Sequence, residues 1–138
     1  MIAASNAARL EETKGRGKVL IIDDDEAILK LLNLRLRTEG FDTRLAVDAK
    51  SAFDCACEYH PNIILLDIAM PEETGADFLN KMQSLEITKD IPVIIITAYP
   101  SQKKFVEGYP NVKEFFVKPF ELPKLITKIG DVIAESGK

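Results

Sequence analysis

The 138-residue chain is long enough for one domain with a substantial apolar core. Its 18 basic and 22 acidic side chains leave a net charge of -4, which gives no general reason to bind nucleic acid or an anionic membrane. Apolar residues make up 46%, an ordinary globular share, and no run approaches the roughly 18 residues of a membrane-spanning helix.

The opening stretch MIAASNAARLEETKGRG lacks the apolar core of a secretion signal, and residues 1–17 read as a mobile or weakly helical extension. The first apolar run is Val19 to Ile22, and three carboxylates succeed it directly, Asp23, Asp24 and Asp25. A helix stripe of Ile28, Leu29, Leu32 and Leu36 comes next, with Gly40 as its stop. A more polar run, Phe41 to Val47, suits an edge strand. Residues 48–59 form the second helical pattern, with Ala49, Ala52, Phe53 and Ala56 inward. It contains Cys55 and Cys57, whose spacing of two turns them to different faces. Neither a disulfide nor a metal pair is therefore expected, and a reducing, cytoplasmic setting is inferred. The single histidine, His60, beside Pro61, reads as solvent-facing and without a catalytic role.

Ile63 to Leu66 is the third apolar run. A helix from near Gly75 carries Phe78, Leu79 and Met82 inward, and the fourth run is Ile91 to Ile96, interrupted by Pro92. A short, weakly amphipathic helix over about 101–107 is bounded by Pro100 and Pro110. Phe115 to Val117 is the last run, and a final helix puts Leu122, Leu125, Ile126, Ile129 and Ile133 on one side. Apolar runs without polar alternation suit strands buried on both faces, as in a parallel sheet. Five alternations of strand and helix predict a three-layer α/β sandwich whose parallel strands run 2-1-3-4-5, the flavodoxin-like order, with five helices. The expected limits are an extension over 1–17, the domain over 18–135 and a tail or linker over 136–138.

In open α/β sheets, ligands bind beyond the carboxyl ends of the strands where the strand order reverses. Four predicted strands end there in Asp23-Asp24, Asp67, Thr97 and Lys118. Singly each has an ordinary reading: an aspartate caps a helix, a threonine ends a strand, a lysine is solvated. Their coincidence at one edge argues for a site. Like charges about 4 Å apart repel by roughly 4 kcal/mol at an effective dielectric near 20, so the acidic triplet calls for a compensating partner. Mg²⁺ is ordinarily held by one or two carboxylates with waters and phosphate oxygens, and Asp23, Asp24 and Asp67 supply such a set. Asp25 is placed instead as the N-cap of the first helix.

The pieces Asp23-Asp24, LLDIAMPEETG (65–75), IIITA (94–98) and FFVKPF (115–120) together resemble the receiver domain of two-component response regulators, the CheY-like superfamily, across about residues 18–135. The resemblance implies that Asp67 accepts a phosphoryl group from a sensor histidine kinase or a histidine phosphotransfer protein. It further implies Mg²⁺ (or Mn²⁺) ligated by Asp24 and Asp67, by Asp23 through water and by the backbone carbonyl of Ala69. Lys118 would contact the acceptor or its phosphoryl group, Thr97 would hydrogen-bond a phosphoryl oxygen, and Pro119 would come after a cis bond. Thr97 and Phe115 occupy the family's switch positions; Phe115 stands where a tyrosine is frequent and lacks its hydroxyl. Ala69 and Tyr99 flank the path of a hydrolytic water, and the absence of an orienting side chain at Ala69 implies slow to moderate dephosphorylation.

The chain is thus expected to be a signalling switch rather than an enzyme acting on a separate substrate. It would be a monomer or weak dimer, acting on a downstream effector protein or a fused output domain, without direct contact to nucleic acid or membrane. No helix-turn-helix pattern comes after residue 135, so a stand-alone receiver and a piece of a longer regulator or hybrid kinase both remain open. Two alternatives stay beside this reading. One is a receiver-like interaction module that is never phosphorylated. The other is a phosphatase of the haloacid-dehalogenase type built on Asp23-x-Asp25, which leaves Asp67 and the Met70-Pro71…Gly75 loop without a role and lacks a further acidic strand end after Lys118.

Overall fold

The computed structural model describes residues 15–68 and 75–136. Five strands, β1 (Lys18–Ile22), β2 (Asp42–Ala46), β3 (Ile63–Asp67), β4 (Val93–Thr97) and β5 (Val112–Val117), alternate with helices α1 (Glu26–Thr38), α2 (Ala49–Tyr59), α3 (Gly75–Gln83), α4 (Lys103–Val106) and α5 (Leu122–Ser136). A 3₁₀ turn, Pro100–Gln102, leads into α4. All four strand pairings are parallel and the order is β2-β1-β3-β4-β5, as the sequence pattern predicts.

Alternation along each strand divides the core into two layers. Val19 and Ile21 of β1, Ile63 and Leu65 of β3, and Ile94 and Ile96 of β4 meet Leu29, Leu32 and Leu36 of α1 and Leu125, Ile126, Ile129 and Val132 of α5. Their neighbours Leu20, Ile22, Ile64, Leu66, Val93 and Ile95 face the other way, onto Ala49, Ala52 and Ala56 of α2, Phe78, Leu79 and Met82 of α3, and Val106 of α4. The three alanines of α2 let that helix lie close on β1 and β2. A strand with both faces covered has no polar positions to offer, which is why β1, β3 and β4 read as unbroken apolar runs.

Helix ends obey their local chemistry. The Asp25 carboxylate accepts from the N–H groups of Ala27 (2.9 Å) and Ile28 (3.3 Å), the expected N-cap of α1. At the other end Gly40 takes φ 97°, Phe41 N–H donates to Leu36 O and Gly40 N–H to Arg37 O, a Schellman closure that only a residue free of Cβ strain adopts readily. Asp48 caps α2 through the N–H of Ser51 at 2.8 Å.

Several expectations are corrected. β4 begins at Val93 rather than Ile91, because Pro92 has no N–H to give to the ladder, though its carbonyl accepts from Ile64. β5 begins three residues earlier than expected, and its polar residues Lys113 and Glu114 suit its place at a sheet edge. The β4–β5 register slips after Val93↔Val112 to Ile94↔Glu114, so Lys113 is an extra residue in the ladder. On α5 Val132 joins the buried face with Leu125, Ile126 and Ile129, while Ile133 is only half-buried, and the helix runs to Ser136, one residue into the expected tail. Of the expected extension, Arg16 is anchored: its guanidinium lies 4.5 Å from the Phe41 ring and donates to Glu39 O at 3.0 Å. Residues 1–14, the loop residues 69–74 and residues 137–138 lie outside the described residues. Cys55 and Cys57 are free thiols, and His60 is exposed at the end of α2 with φ 52°.

Gly75 opens α3 hard against Ile68, the residue that comes directly after β3. A Cβ there would fall 2.2 Å from Ile68 Cγ2 and 2.7 Å from Ile68 Cα, whereas one on Gly108 would meet nothing within 4 Å. Urea denaturation is therefore expected to show Gly75→Ala losing about 1–3 kcal/mol of stability through overpacking, and Gly108→Ala to stay within about 0.5 kcal/mol of wild type as an open surface site. Equal losses at the two positions would contradict the close approach at Ile68.

Candidate metal centre

Parallel strands deliver their carboxyl ends to one edge, and the order β2-β1-β3 makes β1 and β3 neighbours there. Asp23 comes directly after β1, Asp67 ends β3, Thr97 ends β4 and Lys118 comes directly after β5. The helices leaving β1 and β3 cover opposite faces of the sheet, so the cleft between these two strands is open at the top.

One carboxylate oxygen from each of Asp23, Asp24 and Asp67 falls within 4.8 Å of the others. Asp23 is 3% and Asp67 6% exposed, whereas Asp24 faces solvent. The Lys118 ammonium donates to Asp23 Oδ2 at 3.1 Å and to Asp67 Oδ2 at 3.3 Å, bridging the two buried acids. Asp23 Oδ1 also accepts from the Asp25 backbone N–H at 2.9 Å. Its own N–H donates to Ala46 O of β2. Asp25 thus serves twice, capping α1 with its carboxylate and orienting Asp23 with its backbone. That geometry leaves no Asp23-x-Asp25 pair converging on one reacting atom.

Burial pushes the Asp23 carboxyl from 3.8 up to about 6, with the Asp67 charge adding and the Asp25 N–H and Lys118 opposing. For Lys118 burial works against the charge, but the hydrogen bond to Asp23 and the charges of Asp67 and Asp23 outweigh it, holding the ammonium above its usual range. Two buried carboxylates therefore share the Lys118 ammonium, with a third carboxylate beside them at the solvent side. Three oxygen donors in hard-ligand geometry, one side open, fit a small divalent cation that keeps waters and an exogenous oxygen.

Thr97 is fully buried; its hydroxyl oxygen accepts from the Tyr99 N–H at 3.1 Å and its carbonyl accepts from the Lys118 N–H at 2.7 Å. The first contact leaves the Thr97 O–H proton available to an oxygen above the strand ends. Phe115 pairs with Ile95 and packs half-buried into the α2–α4 layer, on the face that Thr97 shares two residues along. The Lys118–Pro119 bond is cis, as expected. Tyr99 is 56% exposed. The Ala69 carbonyl, expected as a ligand, lies outside the described residues, as does the Met70-Pro71 pair.

The sequence does not assign two features of this site. One is the orienting N–H of Asp25, for which a backbone group leaves no sequence signal. The other is the contact of Phe116 with Phe120 across the Lys118 turn, rings 6.0 Å apart and 62° inclined. Its only signal is a pair of aromatics flanking Lys118, four residues apart.

The same fold occurs in known proteins. The model of the response regulator receiver domain matches residues 19–130. The DNA-binding dual master transcriptional regulator RpaA of Synechocystis is 30% identical over 113 residues, which cover 81% of this chain and 47% of that protein. The regulatory protein AtoC of Escherichia coli is 33% identical over 109 residues, covering 78% and 23%. The chain thus spans at most about half the length of these curated relatives. Among solved structures, a CheY-like response regulator receiver domain protein from Methanospirillum hungatei superposes with a TM-score of 0.80 at 26% identity, covering 87% of this chain and 95% of that one. The response regulator TrrA of Thermotoga maritima, solved in complex with Mg²⁺-BeF, superposes with a TM-score of 0.74 at 25% identity, covering 83% and 97%. On this sheet order, and with a family match running from β1 into α5, the chain belongs to the response regulator receiver domains of two-component signalling.

Proposed function

We propose that Asp67 is the phosphoacceptor of a Mg²⁺-dependent switch. The observation that carries the reading is the pair of buried carboxylates, Asp23 and Asp67, joined by the Lys118 ammonium with Asp24 alongside. A carboxylate oxygen of Asp67 attacks phosphorus while the bond from phosphorus to the donor's leaving group breaks. Little covalent activation is needed, since positioning and charge stabilisation carry most of phosphoryl transfer. Asp23, Asp24 and Asp67, with the Ala69 carbonyl, would hold Mg²⁺ (or Mn²⁺), which when bound supplies positive charge to the transferred oxygens. Lys118 adds a charge-assisted contact from the other side. The Thr97 hydroxyl, its oxygen engaged by Tyr99 N–H, turns its proton toward a phosphoryl oxygen. The complex of the Thermotoga maritima relative with Mg²⁺-BeF supports this assignment.

The donor in this reading is a sensor histidine kinase or a histidine phosphotransfer protein, and the output is a changed surface rather than a released product, so the chain is a switch and not an enzyme on a separate substrate. Movement of Thr97 toward the phosphoryl group would free space for Phe115, shifting β5 and α4 between two arrangements. The readout would be a downstream protein or a fused output domain, as monomer or weak dimer. The net charge of -4 gives the chain no general reason to bind nucleic acid. No described helix is long and apolar enough to cross a membrane. A cytoplasmic setting fits the two unpaired cysteines.

Three outcomes are expected. Acetyl phosphate with Mg²⁺ should add one phosphoryl group by intact mass, and Asp67→Asn should take up none; label that persists in Asp67→Asn, or sits on Asp23, would refute the assignment. Mg²⁺ at about a hundred times its dissociation constant should stabilise the fold by about 2.7 kcal/mol in thermal melts at pH 7. Because the folded pKa of Asp23 lies above its ordinary value, at about 6 against 3.8, the metal-free fold loses stability as pH rises through that window. By the same sign, protons compete with Mg²⁺ as pH falls below about 6, so the gain should shrink at pH 5; an equal gain at both pH values would count against Asp23 as a ligand. Beryllofluoride should move amide signals across residues 98–120, and Thr97→Ala should suppress those movements while preserving shifts next to Asp67; unmoved signals in wild type would exclude the Thr97–Phe115 coupling.

A further inference from the structure

Lys118 has four rotatable side-chain bonds, yet its ammonium must meet two carboxylates at 3.1 and 3.3 Å. Its aim therefore depends on where its backbone is held. On the N-terminal side the hold is direct, since Lys118 N–H donates to Thr97 O at 2.7 Å. On the C-terminal side the next residue is Pro119, which has no N–H, so the ladder cannot continue. The residue after it, Phe120, is half-buried against the α1–α5 layer that contains Leu125, Ile126 and Ile129. Its ring meets that of Phe116, the residue two before Lys118, at 6.0 Å in an edge-on contact. The two rings thus close the turn Val117-Lys118-Pro119 from beneath, against the same core layer.

We infer that Phe120, closed on Phe116, is the positioning residue of Lys118: the aromatic pair fixes the turn so that the ammonium stays between Asp23 and Asp67. Neither ring is needed to touch those carboxylates; both act through Lys118. The inference rests on the phosphoacceptor reading for its kinetic arm and is independent of it for its structural arm.

The kinetic arm measures Mg²⁺-dependent labelling by acetyl phosphate, a donor too small to need a docking surface. Phe120→Leu should slow labelling by roughly ten- to a hundredfold, since a misplacement of about 1 Å can cost about a hundredfold, and Phe116→Leu by a comparable factor. In a Lys118→Ala background Phe120→Leu should cause no further slowing, because the contact it serves is already gone. A full further slowing in that background, or an unchanged rate in folded Phe120→Leu, would overturn the inference. The structural arm uses ¹³C relaxation of the Lys118 ε-methylene in metal-free protein. The group should be rigid in wild type and mobile in Phe120→Leu, with Lys128 as a reference that does not change. A Lys118 side chain equally rigid in both proteins would overturn the inference, and unlabelled wild-type protein would refute the phosphoacceptor reading while leaving this arm to decide. Circular dichroism melts confirm that the leucine variants are folded at the assay temperature.

Discussion

Asp23 and Asp67 are buried within hydrogen-bond reach of one ammonium, and much of the upper edge of the sheet is arranged around that balance of charge. Removing one partner from such a set leaves an uncompensated buried charge, which costs far more than the intact set contributes. The molecule answers with a lysine from the end of β5 and a backbone N–H from Asp25, and leaves Asp24 at the solvent side. These groups come from chain positions nearly a hundred residues apart. They are brought together because the strands are parallel and β1 and β3 lie side by side.

The same sheet separates duties between its two layers. The α1–α5 layer receives Phe116 and Phe120, the aromatics that flank Lys118. The opposite layer receives Phe115, beside the strand that ends in Thr97. Two consecutive phenylalanines thus report to different sides of one site. The first packs in the layer under α2, α3 and α4, and the second in the layer under α1 and α5.

How much of this is legible in the sequence depends on whether a feature is carried by a pattern or by a contact. Unbroken apolar runs betray β1, β3 and β4, because strands covered on both faces must be apolar throughout. β5 shows only its second half, since at an edge Lys113 and Glu114 reach water at little cost. Asp23, Asp24, Asp67, Thr97 and Lys118 can be named because each succeeds or ends a readable strand. The reason for Gly75 cannot be found that way: nothing in its neighbourhood along the chain states that the backbone of Ile68 will pass under 3 Å from where its Cβ would be. The likeness of the motif set to receiver domains reaches the site residues more directly than periodicity does, yet it is silent on the Phe116–Phe120 closure. The haloacid-dehalogenase alternative loses its footing with the Asp25 carboxylate engaged by Ala27 and Ile28.

The single extra residue at Lys113 governs more than a local kink. Counting from Val93↔Val112 without a bulge, Phe115 would stand opposite Ile96 and point into the α1–α5 layer, while Phe116 would stand opposite Thr97. With the bulge, Phe115 stands opposite Ile95 and Val117 opposite Thr97, so the residue that steps past the end of the ladder is Lys118. The bulge therefore works like a frame marker for the whole strand: it assigns each ring to its side and decides which side chain arrives at the acids. Were the strand ironed flat with every residue kept, an inert Val117 would occupy the place of the ammonium, although the altered position lies far from any of the three aspartates.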